Sequence, residues 1–175
     1  MGNPTEAEIG PIHKAYGSAM FTAQLFEHGL ALLLQVISEE RKRQGLEPRR
    51  VPIDDARRFT TIGIAFKQLK SVQSFSHDEY SVVDAGIKAR NLLVHAYWNE
   101  SRSFALQTPA GRQWLVQDLN AQQRICSQAD SVVASYIASY IDKHLHQFGQ
   151  SFESIAAALL AQHENGNEPP ADVFH

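Results

Sequence analysis

Residues 76–98 read SHDEYSVVDAGIKARNLLVHAYW, and the reading of this stretch decides the fold. Ser76 and Glu79 have the S-x-x-E spacing of a capping box, and Asp78 adds negative charge at the positive end of the helix dipole, so a helix is predicted to open here. At about 100° per residue, Tyr80, Val83, Ile87, Val94 and Trp98 fall on one apolar stripe. Ala85, Ala89, Leu92 and Ala96 form a second, whose small side chains permit close approach by another helix. A helix apolar on two sides is usually buried on both. Between the stripes runs a polar row, Asp84, Lys88, Asn91 and His95. Arg90 falls inside the apolar arc, where a guanidinium must either be paired or reach out along its aliphatic stem. Singly, Arg90 reads as an ion pair with a carboxylate from another helix, and Asn91 and His95 as interhelical hydrogen bonds. Together, an arginine, an amide and an imidazole within six residues have the makings of a site.

On the N-terminal side, Tyr16, Ala19, Ala23, Phe26, Leu30, Leu33 and Ile37 recur at spacings of three and four, which predicts a helix from about Pro11 to Gln44 that stops at Gly45. Pro48 and Pro52 make GLEPRRVPI a loop. A second helix of about 55–73 turns Phe59, Ile62, Phe66 and Leu69 inward. On the C-terminal side, Ser101 to Gln107 reads as a short strand or a loop. A long helix is then predicted from Arg112 to Phe148 on Trp114, Leu115, Leu119, Ile125, Ala129, Val133, Tyr136, Tyr140 and Leu145, and a final short one from Phe152 to His163. The expectation is a single all-α domain over 1–175, an up-and-down bundle of four to five helices with polar tails at 1–10 and 164–175.

Composition narrows the functions open to such a bundle. With 16 Lys plus Arg against 19 Asp plus Glu, the net charge is -3, which excludes a generally basic nucleic-acid binder but not a local patch. Residues 41–70 carry nine basic and three acidic side chains, net +6, which leaves -9 for the remainder. The basic residues Arg41, Lys42, Arg43, Arg49, Arg50, Arg57 and Arg58 read either as a solvated helix end and loop or as a flank that guides a polyanion. Cys126 is the one cysteine, so no internal disulfide and no cysteine metal cluster is possible, and a reducing compartment is expected. The N-terminus lacks the basic start and apolar run of a secretory signal, and no stretch approaches the length of a membrane span. A cytoplasmic protein without a membrane partner, metal or cofactor is expected.

The run Arg90-Asn91-Leu92-Leu93-Val94-His95 resembles the R-x4-6-H motif of the HEPN superfamily, including the polar residue directly after the arginine. The motif's place late in an internal helix of an all-helical chain agrees. The resemblance implies a helical bundle that forms a homodimer, with motifs from two protomers lining one cleft, and metal-independent endoribonuclease activity on RNA. In that scheme His95 acts as general acid or base, a role suited to the ordinary pKa of imidazole. Arg90 neutralises the scissile phosphate with its fork of donors, and Asn91 orients the phosphate or His95. The continuation His95-Ala96-Tyr97 extends the likeness to R-x4-H-x-Y of HEPN toxins paired with minimal nucleotidyltransferases, in which the tyrosine is adenylylated. Asp84, Lys88 and Tyr97 are then supporting residues, although Tyr97 also lies near the apolar arc and reads as a core aromatic, and an antitoxin or nucleotidyltransferase is the implied partner in a toxin or defence role. The residues also admit a non-catalytic module that binds RNA, a nucleotide or a protein, or a dimerisation scaffold. An Arg90 locked to an intrachain carboxylate, with no cleft shared between protomers, would favour the scaffold.

Overall fold

The structure is a computed structural model and describes residues 4–46, 62–71 and 75–148. Contacts divide the chain into two compact units, Met1–Tyr136 and Ile137–His175. Among the described residues of the first unit every element is helical: α1 (Glu6–Arg43), α2 (Ile62–Lys70), α3 (His77–Asn91), a π turn (Leu92–Ala96), α4 (Glu100–Ala105) and the greater part of α5 (Pro109–Phe148). The fold is all-α. Residues 137–148, the end of α5, are the described part of the second unit. Phe59, the final helix expected at Phe152 to His163 and the tail at 164–175 lie outside the described residues.

α1 begins five residues before the expected start, so residues 6–10 of the expected polar tail are helix. The cause is local: the Glu8 carboxylate accepts the Thr5 backbone N–H at 2.8 Å and the Thr5 hydroxyl at 2.9 Å, fixing the first turn ahead of Pro11. The helix stops as expected at Gly45, whose φ of 71° suits a residue without Cβ. Leu46 N–H reaches the Arg41 carbonyl at 2.9 Å and Gly45 N–H the Lys42 carbonyl at 3.0 Å, the paired bonds of a Schellman stop. Between these ends the expected face is the core face. Ala19, Ala23, Phe26, Leu30, Leu33 and Ile37 are all buried, and Tyr16 is half-buried. Each buried Phe, Leu or Ile contributes roughly 1.5–3 kcal/mol. By length and composition alone α1 could also cross a membrane, a correction to the expectation that no stretch is long and apolar enough.

In α2, Ile62, Phe66 and Leu69 are buried, and Phe66 stacks on Tyr80 of α3 at 5.3 Å. The paired residues give the directions of the three long helices. Tyr16 and Glu27 of α1 meet Leu93 and Arg90, so α1 and the α3 segment run antiparallel. Glu79, Gly86 and Tyr97 meet Tyr136, Cys126 and Leu115, so that segment and α5 are antiparallel too. α3 opens on the expected capping box, with Ser76 N–H donating to Glu79 at 2.8 Å and Glu79 N–H to the Ser76 hydroxyl at 3.2 Å. Hydrogen bonding to its carboxylate by the Ser76 side chain and backbone N–H, and by the Tyr136 hydroxyl, holds the Glu79 carboxyl below its usual range.

Close helix approach occurs, but not on the expected stripe. Ala89 is buried, Leu92 half-buried, and Ala85 and Ala96 are exposed. The point of closest approach is Gly86, where an added Cβ would lie 2.3 Å from the Cβ of Ala129 in α5 and 3.1 Å from the Phe26 ring in α1. Three helices converge on one glycine. Cys126 fills the space beside it with its thiol 3.9 Å from the Gly86 carbonyl, and burial pushes that thiol up to about 11.

Residues 101–107 are not a strand. Asn99 accepts the Arg102 N–H at 3.0 Å and starts α4, and the Thr108 hydroxyl accepts the Gly111 N–H at 3.0 Å and starts α5, with Pro109 as its first residue. A Cβ at Gly111 would lie 2.1 Å from the Ala105 carbonyl oxygen, so the corner between α4 and α5 requires glycine. Along α5, Leu115, Leu119, Cys126, Ala129 and Val133 are buried, whereas Trp114, expected on the core face, is 48 % exposed.

The Gly86 junction makes a direct prediction. Gly86→Ala is expected to destabilise the protein by about 1–3 kcal/mol through overpacking, measured by urea denaturation. Ala129→Gly in the same chain should recover part of that loss, since it removes the atom that the new Cβ strikes. An unchanged midpoint for Gly86→Ala would show that α1, α3 and α5 do not converge as described.

Candidate functional site

Five residues apart is a poor spacing for contact on an α-helix, because it leaves the two side chains about 140° apart around the axis. Arg90 and His95 are nevertheless in contact, with Arg90 Nη1 3.3 Å from His95 Nε2. The reason lies in the backbone between them. Residues Leu92 to Ala96 form a π turn, in which hydrogen bonds run from residue i to i+5 and residues five apart come to lie above one another. The wider turn also rotates everything after it. Leu93 and Tyr97 take the buried positions at 1 % exposure each, and Val94 and Trp98, expected in the core, are 37 % and 42 % exposed.

Tyr16 of α1 supports this turn, its hydroxyl donating to the Leu93 carbonyl at 3.0 Å. Eleven residues on, which is about three turns and so the same face of α1, Glu27 engages Arg90. Its Oε2 accepts from Arg90 Nη2 at 2.6 Å and from Nε at 3.1 Å. The two side chains are 14 % and 24 % exposed. Glu27 thus takes two of the guanidinium's nitrogens and leaves Nη1 facing Asn91 Oδ1 at 3.2 Å and His95 Nε2 at 3.3 Å. A guanidinium has no acceptor and does not lose its proton in proteins, so it donates to Nε2. The contact is a hydrogen bond in the Nδ1–H tautomer of His95, whose Nε2 lone pair then accepts from the cation. Asn91 and His95 are both exposed.

The expected polar row divides. Asn91 and His95 belong to the Arg90 cluster, whereas Lys88 pairs with Asp84 at 2.8 Å one turn away, with Lys88 largely exposed. The hydrogen bond that Lys88 donates to Asp84 holds its ammonium above the usual range. Tyr97 lies in the core at 1 % exposure, and its hydroxyl donates to the Leu115 carbonyl at 3.3 Å. Burial first, and Asp118 second, push that phenol far above its usual range, with Arg102 opposing them. The Arg102 guanidinium stacks over Tyr97 at 4.5 Å and pairs with Asp118 at 3.1 Å. Modification of the Tyr97 oxygen would require the ring to leave this position.

Of the expected basic flank, Arg41, Lys42 and Arg43 form the last turn of α1, where positive charge meets the negative end of the helix dipole. Lys42 is paired with Glu39 at 2.6 Å. Arg49, Arg50, Arg57 and Arg58 lie outside the described residues. Among the described residues no three His, Cys, Asp or Glu side chains are grouped to hold a metal ion.

Sequence reasoning called for a carboxylate from another helix opposite Arg90 and did not find which. Glu27 was legible as the acid beside Phe26 at the edge of the α1 core face, one residue off the apolar stripe. Tyr16 was read as core alone, and Arg102 with Asp118 carried no signal beyond their charge. Compared with family models, with curated proteins and with solved structures, the chain matches none.

A double-mutant cycle tests the pairing on which the cluster depends. Glu27→Gln and Arg90→Gln, measured singly and together by thermal and urea unfolding, should give a coupling of about 1–3 kcal/mol. Additive effects would show that Glu27 does not hold Arg90.

Proposed function

We propose that the chain is a metal-independent endoribonuclease of HEPN type, acting as a cytoplasmic homodimer in a toxin or defence role. The contact between Arg90 Nη1 and His95 Nε2 supports this reading most, because it joins a permanent cation to an imidazole nitrogen at the exposed end of an otherwise packed element. A phosphate entering the cluster offers Nη1 a charged acceptor in place of Asn91 Oδ1 and His95 Nε2, and a hydrogen bond to an ionised acceptor is the stronger. That exchange frees the Nε2 lone pair. Nε2 then takes the proton of the RNA 2′-hydroxyl as its oxygen attacks phosphorus, the bond to the 5′ oxygen breaks, and a 2′,3′-cyclic phosphate is left. The 5′ oxygen takes its proton from His95 of the second copy, which enters the step as the imidazolium and leaves it neutral. Arg90 holds the phosphate charge throughout and Asn91 fixes the amide side of the cluster.

α1 supports the non-membrane part of this reading. Phe26, Leu30, Leu33 and Ile37 are already used in the core of the bundle, and Glu27 within that helix is committed to Arg90. An antitoxin remains the implied partner. A nucleotidyltransferase acting on Tyr97 fits less well, since its hydroxyl is enclosed against Leu115.

One observation favours the second reading, a non-catalytic module or scaffold. Arg90 is locked to an intrachain carboxylate, which meets half of the criterion set for the scaffold. A guanidinium neutralised by Glu27 attracts phosphate less than a free one. The two readings diverge in the test tube. Purified protein incubated with RNA in EDTA should cleave it to products ending in cyclic phosphate, and His95→Ala and Arg90→Ala should each lower the rate by 100-fold or more, about 2.7 kcal/mol of transition-state stabilisation. Intact RNA after incubation with folded wild-type protein, across structured and unstructured substrates, would sink the ribonuclease reading and leave the binding module or the scaffold.

A further inference from the structure

Trp98 directly follows Tyr97 at the end of the π turn, three residues after His95. Its ring is held but not covered. It packs against Tyr16 with centroids 5.6 Å apart and planes at 54°, and edge-on against Tyr97 at 5.2 Å and 88°. Both neighbours are themselves anchored, Tyr16 by the Leu93 carbonyl at 3.0 Å and Tyr97 by the Leu115 carbonyl at 3.3 Å and the Arg102 guanidinium at 4.5 Å. The indole is thus fixed on two sides in a residue that is still 42 % exposed. An aromatic ring ordered in advance binds a flat partner without the entropic cost of ordering itself.

We propose that Trp98 is a stacking platform for an unpaired nucleobase next to the phosphate held by Arg90 and His95. This inference rests on the reading of that cluster as an RNA site and names what sets its position on the strand. Single-strand recognition combines cationic or hydrogen-bonding groups for the backbone with an aromatic face for the bases. Both occur here within nine residues, Arg90 to Trp98, and the π turn that exposes the indole is the one that brings His95 to Arg90. Around it His95, Asn99 and Glu100 are exposed and polar, and Val94, one turn before, is the one large apolar side chain among these neighbours that is also exposed. A protein contact calls for a continuous apolar face, as Phe21, Leu25 and Leu32 present on the outer side of α1.

The chain holds two tryptophans, so Trp114→Phe leaves Trp98 as the sole indole emitter. In a non-cleaving His95→Ala, Trp114→Phe protein, titration with a short oligouridylate should quench the fluorescence, and an abasic ribose-phosphate oligomer of equal length should not. With the same His95→Ala change, Trp98→Ala is expected to weaken oligouridylate binding about tenfold and leave abasic binding unchanged. Trp98→Phe should retain most of the affinity, which separates stacking from misfolding. Absence of quenching, equal quenching by the abasic oligomer, or a change in molecular mass on Trp98→Ala with unaltered RNA affinity would each overturn the platform, the last by assigning Trp98 to a contact between copies. Base-dependent quenching by a protein whose wild type cleaves nothing overturns the ribonuclease reading alone. Cleavage without base-dependent quenching overturns the platform alone.

Discussion

Opening a helix by one residue weakens its hydrogen-bond geometry, and this chain accepts that cost at Leu92–Ala96. Three consequences follow from the one distortion. Arg90 and His95, which an α-helix would hold on different sides, meet at 3.3 Å. Leu93 and Tyr97 turn into the core, and Trp98 turns out of it. The turn persists because its surroundings specify it: Tyr16 bonds the Leu93 carbonyl, Tyr97 is enclosed between Leu115 and Arg102, and Glu27 fixes the guanidinium just before the turn. Residues held away from regular geometry by such neighbours are typical of functional sites.

The same neighbours explain why the site is built on α1. Tyr16 and Glu27 lie on one face of that helix, three turns apart, and span the segment from Arg90 to Trp98. Ala19 and Ala23 between them are completely buried, and their small side chains leave room for the wider turn to lie close. Gly86 serves the preceding part of α3 in the same way, where Ala129 and Phe26 leave no space for a Cβ. Packing brings the backbone close, and the two polar anchors decide which atoms face the solvent.

Much of this architecture is legible in the sequence because it follows from local rules. The capping box at Ser76 and Glu79, the stop at Gly45 and the core face from Ala19 to Ile37 depend on spacing alone, and each occurs as expected. Val94 and Trp98 were misplaced because a constant 100° per residue cannot register an inserted residue. The signal lies in a conflict that spacing leaves unresolved: Arg90 and His95 have the chemistry of partners at a distance unsuited to contact. α4 was missed for a different reason, since Asn99 caps a helix of six residues, too short to show a periodic face. The partner of Arg90 was foreseen by type and not by position, because charge pairing between helices depends on their packing.

The Arg90–His95 contact is what the π turn builds, and the hydrogen on the imidazole reports it. Long-range 1H–15N correlation spectra of His95, recorded at about pH 8 where an ordinary imidazole is neutral, distinguish the two tautomers directly. The hydrogen is expected on Nδ1, with Nε2 unprotonated and its resonance displaced by Arg90→Gln. An Nε2–H tautomer, or an Nε2 resonance indifferent to Arg90→Gln, would contradict the contact and with it the role assigned to the π turn.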